Sequence, residues 1–248
     1  MGTRITPKKN KQPVKKNTSS IGSKISRFLL KVLLWFFGLS LFFVVFFKFV
    51  PVPFTPLMVI RVFENKLAGK EVFFSHDWEP IENISMNLQK AVIASEDGTF
   101  LTHNGFDFVA MQKAYKSNER GRRIKGGSTI SQQTAKNVFL WQGRSYLRKG
   151  LEAYFTVLIE LIWGKERIME VYLNSIEMGN GVYGAQAAAE HWYRKGASSM
   201  TPKQAAGIAA ILPNPRKYSA TSSSTYINNR KAKIVRIMRT VGKVNYPK

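Results

Sequence analysis

With 248 residues, 44% of them apolar, and no cysteine, the chain can bury a sizeable core but cannot form a disulfide, a thiolate nucleophile or a Cys-ligated zinc site. Its 38 Lys and Arg against 15 Asp and Glu leave a formal net charge of +23, which implies an anionic partner: nucleic acid, phospholipid headgroups or a phosphorylated substrate. His76, His103 and His191 fit no zinc motif such as H-E-x-x-H.

Residues 1–27 hold Arg4, Lys8, Lys9, Lys11, Lys15, Lys16, Lys24 and Arg27 and no acid, and read as a disordered basic tail. Residues 28–50 follow, uncharged between Lys31 and Lys48. As a helix they span about 35 Å at ~1.5 Å per residue, enough for a hydrocarbon core of ~30 Å, and the two lysines can snorkel to the headgroups. A cleaved signal peptide and a buried helix are the alternatives. A signal's apolar region is shorter, ~7–15 residues, and ends at a small-residue site that Pro51-Val52-Pro53-Phe54 does not offer. A membrane anchor is therefore expected, with the tail in the cytoplasm by the positive-inside rule and the remainder outside. A basic domain placed there meets anionic membrane and molecules embedded in it, not nucleic acid.

Residues 51–80 read as a linker rich in proline, with a short strand near 58–63. From residue 84 the pattern turns helical: Leu88, Ala91, Val92 and Ser95 share a face, and Gly98 stops the helix. Further helices are expected over 108–117, 129–139, 147–163, 165–177 and 184–193. Thr201-Pro202-Lys203-Gln204 is a helix start, with a hydroxyl N-cap, Pro at N1 and Gln at N3, and Pro213 ends that helix. A last helix over 225–240 puts Ile227, Ile234 and Met238 inward and Arg230, Lys231, Lys233 and Arg236 outward. Residues 81–248 thus make one mainly α domain.

Three clusters could carry chemistry. Glu96 and Asp97 end a helix, where the partial negative charge costs ~0.3–1 kcal/mol per anion. The same field would raise the pKa of Glu96, as a general base near neutral pH requires; two solvated carboxylates are the plain alternative. Lys125-Gly126-Gly127-Ser128-Thr129 leads paired glycines into a hydroxyl N-cap, leaving N–H groups for an anion, with Arg122, Arg123 and Lys136 near. It misses the P-loop pattern, because Gly127 stands where the lysine belongs and a helix precedes it; an ordinary capped helix is the alternative. Arg148 and Glu152 are four apart and share a helix face, which is either a surface ion pair worth ~0.2–0.5 kcal/mol or the second half of an acid–cation site.

The order and wording of these clusters together resemble the peptidoglycan glycosyltransferase family (family 51), specifically its monofunctional biosynthetic branch. The resemblance runs over residues 53–215: ED-x-x-F-x-x-H-x-G-F-D at 96–107, GGSTI-S-QQ-x-x-KN at 126–137, RKGLEA at 148–153, K-E-x-I-x-x-x-YLN at 165–174, G-x-G-x-YG-x-x-AAA at 179–189 and QAA-x-x-A-x-LPNP at 204–215. Departures are mild: Ser131 stands where Thr is commoner, Met178 and Trp192 where Phe is.

The resemblance implies a lysozyme-like helical head with a smaller membrane-facing jaw, after one transmembrane helix. It implies a single-pass protein of the cell inner membrane that polymerises lipid II into β-1,4 glycan strands and releases undecaprenyl pyrophosphate. Carried over by motif, Glu96 is the general base and Glu152 the second carboxylate, near the pyrophosphate and a divalent ion if one binds. Lys136, Arg144 and Arg148 face the leaving group, and Asp97, His103, Gly127, Ser128, Thr129, Gln132, Gln133 and Asn137 are further substrate-binding positions. No cofactor is required, Mg2+ at Glu152 being optional. Partners are lipid II, the lipid-linked strand, the membrane and, in cells, wall-synthesis or division proteins. Phe106, Phe108, Phe139, Leu140 and Trp141 either dip into the bilayer or fill the core. The chain ends soon after the motifs, so no transpeptidase domain is expected. A lytic glycosidase and a non-enzymatic membrane scaffold are the rival readings; the cations count against the first, and idle carboxylates against the second.

Overall fold

A computed structural model describes residues 21–69, 71–119, 127–143 and 145–247. It is mainly α, as expected. Helix α1 (Ile21–Phe49) starts seven residues before the expected boundary. No proline separates Ile21 from the apolar run, so residues 21–27, expected in the tail, continue the helix instead. Among the described residues it is the one helix long and apolar enough to cross a bilayer, over Gly22–Phe49, with mean hydropathy 2.4.

The chain divides into two compact units, 1–42 and 43–248. The described part of the first is α1 alone. In the second, the end of α1 is tied to the helices that follow. Pro51 has no N–H for the Phe47 carbonyl, and Arg167 donates to it at 3.1 and 2.8 Å and to the Val50 carbonyl at 2.7 Å. Trp163 Nε1 donates to the Val44 carbonyl at 2.6 Å.

The strand expected near 58–63 is a helix, α2 (Pro56–Leu67). Val59, Ile60 and Val62 invited the strand reading, but the local start signal wins: Thr55 caps the Met58 N–H and Pro56 opens the first turn. Then come α3 (Met86–Glu96), α4 (Phe108–Glu119), α5 (Ile130–Phe139), α6 (Tyr146–Ile162), α7 (Gly164–Ser175), α8 (Ala185–Tyr193), α9 (Pro202–Ile211) and α10 (Thr225–Met238). Helix α9 is buried on all sides from Ala205 to Ile211, as expected of a helix apolar all round, and packs on α3 and α10. Helix α7 brings the fully buried Ile168, Met169, Tyr172 and Leu173 against α5. These contacts set α3 and α5, which carry the candidate site, on one core.

Three short strands, β1 (Ser75–His76), β2 (Glu177–Gly179) and β3 (Val182–Tyr183), form a sheet ordered β1-β3-β2, parallel between β1 and β3 and antiparallel between β2 and β3. Its turn depends on Gly181, at φ +75°, where an added Cβ would lie 2.1 Å from the Phe73 carbonyl oxygen. Left-handed strain and a backbone clash act together there. Gly181→Ala is expected to cost about 2–4 kcal/mol, visible as a lowered unfolding midpoint in detergent; an unchanged midpoint would show that the β2–β3 turn yields freely.

Candidate active site

Helix α5 organises the site. Seven of its ten residues are buried, and the three that are not, Gln133, Lys136 and Phe139, recur every third position and form its open face. The helix is fixed from its start. Thr129 and Gln132 form a reciprocal capping box, and Thr129 Oγ1 donates to the Gly105 carbonyl at 2.6 Å. Gly105, at φ +85°, lies so close to α6 that a Cβ would meet Thr156 Cγ2 at 2.8 Å. Beneath α5, the Glu160 carboxylate accepts from Ser131 and, at 2.7 Å, from Lys165, whose ammonium lies 4.7 Å from the Phe100 ring centre.

Gln133 reaches Glu96. Its Nε2 donates to Glu96 Oε2 at 3.3 Å, and its Oε1 accepts from the buried Tyr172 hydroxyl at 3.4 Å, which fixes the amide orientation. Ser95 Oγ lies 3.0 Å from Glu96 Oε1. Burial raises the Glu96 pKa and Asp97 adds to it, while Gln133, Ser95 and Arg230 oppose the shift. Burial, rather than the field at the helix end, is therefore the main cause. Glu96 opens on a small cavity of about 80 Å³ lined also by Asp97, Gly98, Asp107, Ala110, Gly127, Ser128 and Thr129.

One helical turn along the same face, Lys136 feels the second carboxylate. Glu152, 2% exposed, accepts from Arg148 Nη1 at 2.8 Å and from Lys149. Burial lowers the Lys136 pKa; Glu152 opposes this, and Arg148 and Lys149 reinforce it. Arg148 and Lys149 also line a cleft of about 400 Å³ with Ser145 and Tyr146 at the start of α6. The partners of Glu96 and Glu152 thus sit side by side on α5, a carboxylate at one end of the face and a cluster of three cations at the other. A hydroxyl could lose its proton at the first while an anion is held at the second. A divalent ion is poorly served: both Glu152 oxygens are engaged by cations, and no group of three acidic or histidine side chains gathers among the described residues.

The other candidate residues sit as follows. Asp97, buried beside Glu96, accepts from the Ile130 N–H at 3.0 Å and lies 3.0 Å from His103 Nε2. The anion that looked misplaced at the end of α3 is well placed at the start of α5. It also fills the N-terminus expected to be open to an anion, where the Thr129 and Gln132 N–H groups are likewise bonded within the protein. Gln132 is buried in the capping box, and Asn137 is buried in α5. Gly127 packs against α4, where a Cβ would lie 3.4 Å from the Met111 Cα. Arg144, with Arg122, Arg123, Lys125 and Gly126, lies outside the described residues. Leu140 belongs to the core, and Phe139, at the end of the open face, packs partly buried against it, stacked on Phe155 at 4.5 Å. Phe108 and Trp141 are exposed, and Phe106 stacks on Phe108.

Sequence reasoning missed Lys149, although its position three before Glu152 was a signal. It also missed the support from Ser95, Glu160 and Tyr172. Arg230, expected outward, turns inward: its guanidinium donates to Ser95 Oγ at 3.4 Å and to the Ala210 carbonyl at 3.0 Å. The signal was present: Arg230 stands three after Ile227 and four before Ile234, on the inward face.

Residues 66–239 match the family described as Transglycosylase. The chain is 53% identical over 222 residues, 90% of its length and 94% of the relative's, to the biosynthetic peptidoglycan transglycosylase of Pseudomonas syringae pv. syringae. It is 56% identical over 191 residues to that of Caulobacter vibrioides, covering 77% and 81% of the two chains. With that of Bacteroides thetaiotaomicron it shares 50% over 220 residues, 89% of each.

Proposed function

Since the chain belongs to the transglycosylase family, and is an enzyme of the biosynthetic peptidoglycan type, we propose that it polymerises lipid II into β-1,4 glycan strands with release of undecaprenyl pyrophosphate. The carrying observation is the open face of α5, where Gln133 engages Glu96 and Lys136 faces the cations around Glu152.

In this reading Glu96 takes the proton from the acceptor's 4-hydroxyl as its oxygen attacks the donor's anomeric carbon. The bond to the pyrophosphate oxygen breaks, the leaving group keeps the electron pair, and the α linkage inverts to β. The Ser95 and Gln133 donors occupy one lone pair on each Glu96 oxygen, and each oxygen has another to accept the proton. Lys136, Arg148 and Lys149, together with Arg144, stabilise the negative charge that builds on the leaving pyrophosphate. Such preorganised groups are typically worth ~3–4 kcal/mol each. Glu152 holds Arg148 and Lys149 in place. No step is routed through a metal ion. Exposed apolar side chains, Phe108 and Val109 on α4 and Trp141, Tyr146 and Leu147 beyond α5, suit a site working at the surface of a bilayer. The anchor would be α1, in the inner membrane, with the tail cytoplasmic and the catalytic domain periplasmic.

The pH profile of polymerisation tests this assignment. Glu96 must be ionised to accept a proton, so the rate falls as pH drops through its raised pKa. Lys136 must be protonated to act as a cation, so the rate falls as pH rises through its lowered pKa. The bell of kcat/KM is expected to be narrower on both sides than ordinary values of 4.5 and 10.5 would give. A plateau extending to both of those values would contradict the roles given to the two residues.

A further inference from the structure

Helix α9 ends at a place that matters to Glu96. Pro213 has no N–H for the carbonyl four residues back, that of Ala209, and the Asn214 N–H turns to Ile211 at 2.9 Å, away from Ala210. Two carbonyls at the end of α9 are thereby left for outside donors. Ser95 Oγ lies 3.2 Å from the Ala209 oxygen, and Arg230 Nε donates to the Ala210 oxygen at 3.0 Å. The same guanidinium donates through Nη2 to Ser95 Oγ at 3.4 Å. Ser95 has a single proton to place between the Ala209 carbonyl and Glu96 Oε1, 3.0 Å away. A cation on the Ser95 oxygen makes that proton a better donor, and an ionised carboxylate is the stronger acceptor.

We propose that Arg230 is the positioning residue for Glu96: seated on the end of α9, it acts through the Ser95 hydroxyl to fix the carboxylate and keep it ionised for proton transfer. This rests on the reading of Glu96 as the base. Arg230 touches neither substrate nor the reacting atoms in that account. The groups around Glu96 divide cleanly. Asp97 on the following residue and the buried Tyr172 hydroxyl on α7 offer it no positive charge, Ser95 and Gln133 offer neutral donors, and among the described residues Arg230 on α10 is the cation that acts on it.

The test uses the full-length protein in detergent or nanodiscs with purified lipid II, comparing Arg230→Met, Arg230→Lys, Ser95→Ala and Glu96→Gln. With Arg230→Met, the acid limb of the kcat/KM profile is expected to move up by about one pH unit, so activity on that limb falls about tenfold while KM on the plateau stays near wild type. Arg230→Lys keeps the charge and restores part of the limb position. Ser95→Ala moves the limb the same way as Arg230→Met, and carries the test with Arg230→Lys if the Met variant does not fold. A role confined to holding α10 against α9 would lower activity equally at every pH and leave the limb in place; that result, with Glu96→Gln inactive, overturns the proposal and spares the base assignment. A Glu96→Gln variant active at the wild-type rate instead removes the premise.

Discussion

Glu96→Gln is expected to abolish glycan polymerisation, lowering the rate by about 10³-fold or more, while the protein folds as before. General bases contribute typically 10²–10⁴-fold, and glutamine keeps the shape of the side chain without a site that can take up the proton. Its carbonyl oxygen can accept from Gln133 while its NH2 donates to Ser95 Oγ, whose own proton turns to the Ala209 carbonyl, so each contact keeps a partner. Stability should hold or rise slightly. Burial favours the protonated form of Glu96, so the ionised carboxylate costs stability that grows as pH rises through the raised pKa, and the neutral amide removes that cost. Loss of activity together with loss of the folded state would point to a structural role; wild-type turnover would exclude Glu96 as the base.

Lys136→Met should be nearly as severe, about 10²–10³-fold in kcat, by analogy with removal of one preorganised charge-stabilising donor. Methionine fills much the same volume. Because burial already disfavours the Lys136 ammonium, the unfolding midpoint is expected to hold or rise. Lys136→Arg separates charge from geometry: it should recover part of the rate and lose the basic limb of the pH profile, since a guanidinium does not titrate there. Rate profiles of both variants beside thermal melts check this. A Met variant with wild-type kcat would remove Lys136 from the leaving-group site.

Much of the arrangement could be read from the chain because it is set by short-range rules. Thr129 and Gln132, and Thr201 and Gln204, close the capping boxes that their spacing announces, and Arg148 pairs with Glu152 one turn away. Glu152 is buried, however, and spacing does not report burial. Errors arose where a partner distant in sequence decides the outcome. Asp97 looked misplaced on α3 because the N–H it accepts from, on Ile130, lies in another helix. The β-branched run of α2 favours a strand by intrinsic preference, and the Thr55-Pro56 cap overrides it. Arg230 reads as outward on charge alone, although its spacing puts it with Ile227 and Ile234; what draws it inward is the Ala210 carbonyl at the end of α9 together with the Ser95 hydroxyl.

A carboxylate and a cluster of cations acting from one face of α5 are expected to join sugars rather than cleave them. A size-resolved gel of the products formed by the wild-type protein from purified lipid II tests this most directly. A ladder of strands lengthening with time is the predicted result. Unconsumed lipid II, with soluble muropeptides released when the same preparation is given intact sacculi, would contradict it.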